Sequence, residues 1–168
     1  RCTYCAVWSA RGPSRSLGID ELCTAAADAA RRGHREIVLT GVDLGSYGRS
    51  RGSTLAALVE RLLRTVGETA RLRLSSINAN DISAELSALN AHPQLCGHWH
   101  IPLQSGSDRI LKAMHRGYRR RQFLRVVEEL RDADPDTEIT SDVMVGFPGE
   151  TAADHADTNP TSISDIEI

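Results

Sequence analysis

A chain of 168 residues can bury one substantial core, and 40% apolar with 25% charged residues is the make-up of an ordinary folded domain rather than a disordered one. Twenty basic residues against 22 acidic ones leave a net charge of -2, so bulk charge gives no argument for nucleic acid. No apolar run approaches the roughly 20 residues of a membrane span and no signal-peptide pattern opens the sequence, so a cytoplasmic protein with no membrane partner is the expectation.

Cys2-Thr-Tyr-Cys5 comes first, and on its own it has several readings. Two thiolates three positions apart chelate zinc, anchor an iron–sulfur cluster or exchange disulfides. Cys23 and Cys96 do not form the second close pair a zinc ribbon needs, and the chain has too few cysteines for a disulfide scaffold.

Beyond Arg11-Gly-Pro-Ser-Arg-Ser16, apolar spacing predicts a helix over 19–32, with Ile19, Leu22, Cys23, Ala26 and Ala30 on one face and Gly33 ending it. Cys23 is therefore expected in the core. Residues 36–40 read as a strand covered on both faces, running into the loop Gly41-Val-Asp-Leu-Gly-Ser-Tyr-Gly48. Thr54 caps a helix striped by Leu55, Leu58, Val59, Leu62, Leu63 and Val66 and closed by Gly67.

A strand over 72–76 follows, then a helix capped by Asn80 or Asp81 and stopped by Pro93. A third unit takes a strand over 98–103, a short helical piece around Ile110 and Met114, and a helix over 120–132. The last strand spans 139–145, turns at Gly146-Phe-Pro-Gly149 and leads to a helical start over 150–157 that meets Asn159-Pro160. Alternating strands and helices imply an α/β protein with parallel strands. Four such units form most of an open or six-stranded barrel, and function is expected beyond the strands' C-terminal ends.

Glycines at those ends permit close backbone approach, and Gln104 offers an amide donor and acceptor there. Arg116, Arg119, Arg120 and Arg121 read as a solvated helix start, and His98 and His100 as packing or polar contacts rather than metal ligands.

Three stretches carry a resemblance. Arg1-Cys-Thr-Tyr-Cys-Ala-Val7 with Arg11–Ser16 is similar to the cluster loop of the radical-SAM methylthiotransferases. His100-Ile-Pro-Leu-Gln-Ser-Gly-Ser-Asp108 and Asp142-Val-Met-Val-Gly-Phe-Pro-Gly-Glu150 resemble the same family almost residue for residue. The resemblance implies a partial radical-SAM (β/α) barrel over residues 1–157, with 158–168 as an unmatched tail. It also implies a [4Fe-4S] cluster held by Cys2, Cys5 and a third cysteine four positions before Cys2, and S-adenosylmethionine bound by Tyr4, Gly41, Ser75, Gln104, Gly106, Asp142, Gly146 and Pro148.

Further implications are a second [4Fe-4S] cluster in an N-terminal domain and an RNA-binding C-terminal domain, both outside the sequence given. An electron donor such as flavodoxin or ferredoxin and a tRNA substrate complete the picture, and these residues alone are expected to be inactive. Gly41–Gly48 is similar to the branch acting on threonylcarbamoyladenosine, with Gly45 and Ser46 expected to leave room for the modified base. The alternatives are the isopentenyladenosine branch, the ribosomal-protein aspartate branch, and an inactive nucleotide- or metal-binding fragment. Leu74-Ser-Ser-Ile-Asn-Ala-Asn-Asp81 departs from the family's usual glutamate and proline at Asn78 and Ala79.

Overall fold

A computed structural model describes residues 2–158; the tail expectation, apart from Thr158, lies outside the described residues. In chain order the elements are α1 (Val7–Arg11), α2 (Ile19–Arg31), β1 (Glu36–Leu39), α3 (Leu55–Val66), β2 (Arg71–Leu74) and α4 (Ala84–Ala88). Then come β3 (His98–His100), α5 (Asp108–Ala113), α6 (Arg120–Ala133), β4 (Glu138–Thr140) and α7 (Ala152–Asp157).

Among the described residues all strand pairing is parallel. β1 pairs with β2 from Glu36↔Arg71 to Leu39↔Leu74, and β3 with β4 from His98↔Glu138 to His100↔Thr140. The two pairs are stitched together by a parallel bridge between Leu72 and Leu95 and by the Ile77 N–H donating to the His100 carbonyl at 3.1 Å. Beyond β4 a further bridge joins Gln104 to Val143. Strands in parallel need long crossovers, which the helices supply, and the result is a partial barrel.

Helix α3 shows why these elements form. Thr54 is extended and its hydroxyl accepts from the Ala57 N–H at 3.1 Å, while Leu55, Leu58, Val59, Leu62, Leu63 and Val66 are all buried on one stripe. Leu62 faces the same core as Leu72, Ile101, Phe123 and Leu130, each fully buried. Trp99 is also buried, and its indole N–H donates to Asn90, whose amide donates to the Leu130 carbonyl and Thr137. A polar network this deep is tolerated because these groups are paired.

Several expectations are corrected. β1 is not covered on both faces: Val38 is 52% exposed, because among the described residues β1 pairs only with β2. Neither Asn80 nor Asp81 caps α4. Both lie in a 3-10 turn at Ala79–Asp81, the Asp81 carboxylate being engaged by Arg49 at 2.6 Å, and Ser83 caps the helix instead. The short exposed helix α1 was not anticipated, since Val7 and Trp8 leave no apolar stripe to read.

Candidate functional site

The cysteine turn closes on itself through the Cys5 N–H, which donates to the Cys2 carbonyl at 3.1 Å. It is fastened to the end of α5 by Thr3, whose N–H donates to the Met114 carbonyl and whose hydroxyl donates to Ala113. Arg116 then ties it to the end of β3: Nη1 donates to the Cys2 sulfur at 3.4 Å and Nη2 to the Pro102 carbonyl at 3.2 Å. Tyr4 meets Phe147 edge to face, with centroids 6.4 Å apart and planes at 80°. The turn therefore sits at the C-terminal mouth of the strands, as the barrel expectation required.

Between the turn and the loop after β4 lies a cleft of about 390 Å³ lined by Thr3, Tyr4, Met144, Val145, Gly146, Phe147 and Pro148. Its floor is shaped by a positive φ of 77° at Gly146 and by the Glu150 carboxylate, which accepts from the N–H groups of Gly146 and Phe147. The cleft is largely apolar in its walls and suits the flat face of a heteroaromatic ring against Tyr4. Burial pushes the Tyr4 hydroxyl's pKa up to about 12, so the phenol stays neutral and able to donate.

Of the anticipated cofactor-binding residues, the structure brings Tyr4, Gly146 and Pro148 to this cleft. Ser75 stands at the end of β2, its N–H donating to Leu39 and its buried hydroxyl without a partner among the described residues. Gln104 holds a left-handed φ of 68°, which a residue with a side chain adopts only under constraint; its backbone bonds Asp142 and Met144 supply that constraint. Asp142 is exposed beside His100, whose other nitrogen bonds Ser76 at 2.6 Å.

Gly41 is exposed at the end of β1 and does not line the cleft. At Gly106 a Cβ would lie 2.2 Å from the Asp157 carbonyl oxygen, and the glycine N–H donates to Thr158. Its missing side chain makes room for the end of α7. A Cβ on Gly45 would meet the Asp81 side chain at 2.2 Å, and Ser46 is buried with its hydroxyl 3.1 Å from that of Ser14.

The residue missed by sequence reasoning is Arg116. It is half-buried rather than part of a solvated helix start, and α6 begins only at Arg120. Burial works against its charge, but Tyr118, Cys2 and Tyr4 more than offset that and hold its pKa above the ordinary value. The signal was the Gly117-Tyr118 step after it, which sends the chain back to the mouth: the Tyr118 hydroxyl donates to the Pro102 and Leu103 carbonyls. Asn78 also gains a role, accepting from Arg116 at 2.6 Å and donating to Asp81 at 3.3 Å.

Cys2 and Cys5 are free, half-buried thiols on one turn, a donor set that fits part of an iron–sulfur cluster's ligation. No third histidine, cysteine or carboxylate joins them among the described residues. Cys23 is buried on α2, and Cys96 sits 3.8 Å from Glu36 at the opposite end of the strands.

The model of the radical SAM superfamily matches residues 1–159. The chain belongs to that superfamily. Membership implies a [4Fe-4S] cluster and S-adenosylmethionine as cofactors. This radical SAM chain is 48% identical, over 155 residues, to threonylcarbamoyladenosine tRNA methylthiotransferase MtaB of Thermotoga maritima, covering 91% of this chain and 36% of that protein. It is 42% identical over 161 residues to tRNA-2-methylthio-N(6)-dimethylallyladenosine synthase of Parafrankia sp., covering 94% and 32%. The chain thus spans about a third of the length of these relatives. Among solved structures, the cobalamin-dependent S-adenosylmethionine radical enzyme OxsB aligns with TM-scores of 0.67 and 0.68 over 94% of this chain and 24% of its own, at 15% and 14% identity. That likeness is one of fold. Among the described residues no helix is long and apolar enough to cross a membrane.

Proposed function

We propose that these residues are the radical-SAM core of a longer tRNA methylthiotransferase that adds a methylthio group to C2 of N6-threonylcarbamoyladenosine beside the anticodon. The observation that carries the reading is the meeting of the Cys2–Cys5 turn with the Tyr4–Phe147 cleft at the mouth of the strands. When bound, the cluster and S-adenosylmethionine supply an electron and a carbon radical able to take hydrogen from an adenine carbon.

The chain's own residues hold and orient. Cys2 and Cys5 ligate the cluster, and the Tyr4, Gly146, Phe147 and Pro148 walls bind the cofactor's adenosine and keep water from it. The Ser75 hydroxyl, without a partner among the described residues, and the constrained Gln104 stand at neighbouring strand ends as polar groups for the same ligand. An electron donor such as flavodoxin or ferredoxin, a second cluster and an RNA-binding segment belong to the longer protein in this reading.

Threonylcarbamoyladenosine is favoured over isopentenyladenosine by the Gly41–Gly48 sequence and by 48% against 42% identity to the two kinds of relative. The second reading stays specific because relatives of the dimethylallyladenosine kind match 94% of the chain. The test is nucleoside mass spectrometry of tRNA from a host lacking its own enzyme, with and without the full-length gene. Methylthio-threonylcarbamoyladenosine is expected; methylthio-isopentenyladenosine in its place moves the chain to the other branch.

A further inference from the structure

We propose that Arg116 is a positioning residue for the iron–sulfur cluster: its guanidinium fixes the Cys2 sulfur and sets a positive charge beside it, making the cluster easier to reduce. The proposal rests on the reading of Cys2 and Cys5 as cluster ligands. Its evidence is the way Arg116 is held. Besides Cys2, the guanidinium donates to Asn78 Oδ1 at 2.6 Å, to the Pro102 carbonyl at 3.2 Å and to the Tyr118 hydroxyl at 2.9 and 3.1 Å, and it lies 5.0 Å above the Tyr118 ring.

Tyr118 is itself only 3% exposed and is bonded to the end of β3. These bonds hold the guanidinium at the cysteine turn. Each of these other partners is neutral, and among the described residues no carboxylate pairs with Arg116. Asp81, the acid nearest along this network, is already taken by Arg49 at 2.6 Å.

A half-buried guanidinium whose fixed partners are neutral keeps its charge available to an anion brought to the site. The sulfur that Arg116 touches becomes part of an anionic cluster, and hydrogen bonds and charge at ligand sulfurs are among the factors that set a cluster's potential. Asn78 completes the device. A neutral amide orients the guanidinium and leaves its charge uncancelled, whereas a carboxylate in the same place would neutralise it.

The experiment is an EPR-monitored redox titration of the anaerobically reconstituted full-length protein, following the cluster whose signal changes on addition of S-adenosylmethionine, since the longer protein carries a second cluster in this reading. Arg116→Gln is expected to lower the midpoint potential, with a threefold to tenfold fall in the ratio of reduced to oxidised cluster at a fixed poise; tenfold is about 59 mV for a one-electron couple. Arg116→Lys should recover part of the shift. Asn78→Asp should move the potential the same way with Arg116 intact, and it decides the matter if Arg116→Gln folds poorly by circular dichroism. Potentials unchanged in Arg116→Gln and Asn78→Asp overturn the proposal and leave the functional reading standing. A wild-type protein that takes up no cluster overturns both.

Discussion

Glu36 lies between Arg71 and Arg73, accepting from their Nε groups at 2.7 and 2.6 Å across the β1–β2 pair. These bonds, Arg73's first, hold the Glu36 pKa at about 2, down from 4.5. A depressed carboxylate contributes stability that is present above its unfolded pKa and is lost as pH falls through the folded one. The contribution of Glu36 is thus full above about pH 4.5 and gone below about pH 2. Glu36→Gln should lower Tm at pH 7 by only a few degrees, because Arg71 is 60% exposed and such pairs are worth about 1 kcal/mol or less. Thermal melts from pH 7 to pH 2 check this: wild type and variant should converge at the acid end, and parallel curves would sink the assignment. None of this was legible in the sequence, where Glu36 and the two arginines lie 35 or more positions apart. Parallel register alone brings them together.

At the scale of elements, what the sequence disclosed was what periodicity encodes. Helices α2, α3 and α6 and the strand starts at 36 and 98 fall where apolar spacing put them, since a buried stripe leaves its repeat in the chain. Helix α1 and the Ser83 cap escaped because one buries nothing and the other was decided by Arg49 taking Asp81. A glycine in a motif announces that space is needed, but not what fills it. At Gly106 the filler is the α7 backbone, held there by Asp154, which accepts from Ser107 and Thr151 and pairs with Arg109, while Arg109 also donates to the Gly149 carbonyl at 2.7 Å. The brace links the loop after β3, the Gly146–Gly149 turn and α7. Gly106→Ala must push backbone aside, and overpacking of this kind costs about 1–3 kcal/mol. A Tm loss of about 2–4 °C for each kcal/mol is expected in a melt of the purified protein. An unchanged Tm with weakened S-adenosylmethionine binding would instead make Gly106 a ligand contact.

For the whole molecule, the site is assembled at one end of the strands and the remaining cysteines lie away from it. Cys23 packs in the core from α2, and Cys96 belongs to the far end with Glu36. The mouth therefore offers two thiols, and a [4Fe-4S] cluster that leaves one iron open for S-adenosylmethionine needs three ligands. Anaerobic reconstitution of the 168 residues should give a labile cluster, with iron below about half of full occupancy after desalting. The full-length protein should hold the cluster at this mouth, lose that cluster and roughly half of its total iron on Cys2→Ala or Cys5→Ala, and keep it on Cys23→Ala or Cys96→Ala at a stability loss of about 1 kcal/mol. Iron and sulfide analysis with EPR reads all of these. Loss of iron in Cys23→Ala to the extent seen in Cys2→Ala would place Cys23 at the cluster and contradict its burial on α2. A stable four-iron signal with S-adenosylmethionine coordinated in the 168 residues alone would mean that two thiols and a third group from elsewhere in this chain suffice. Mutating each remaining cysteine, histidine and carboxylate near the mouth, beginning with His115 and Asp142, would then identify that group.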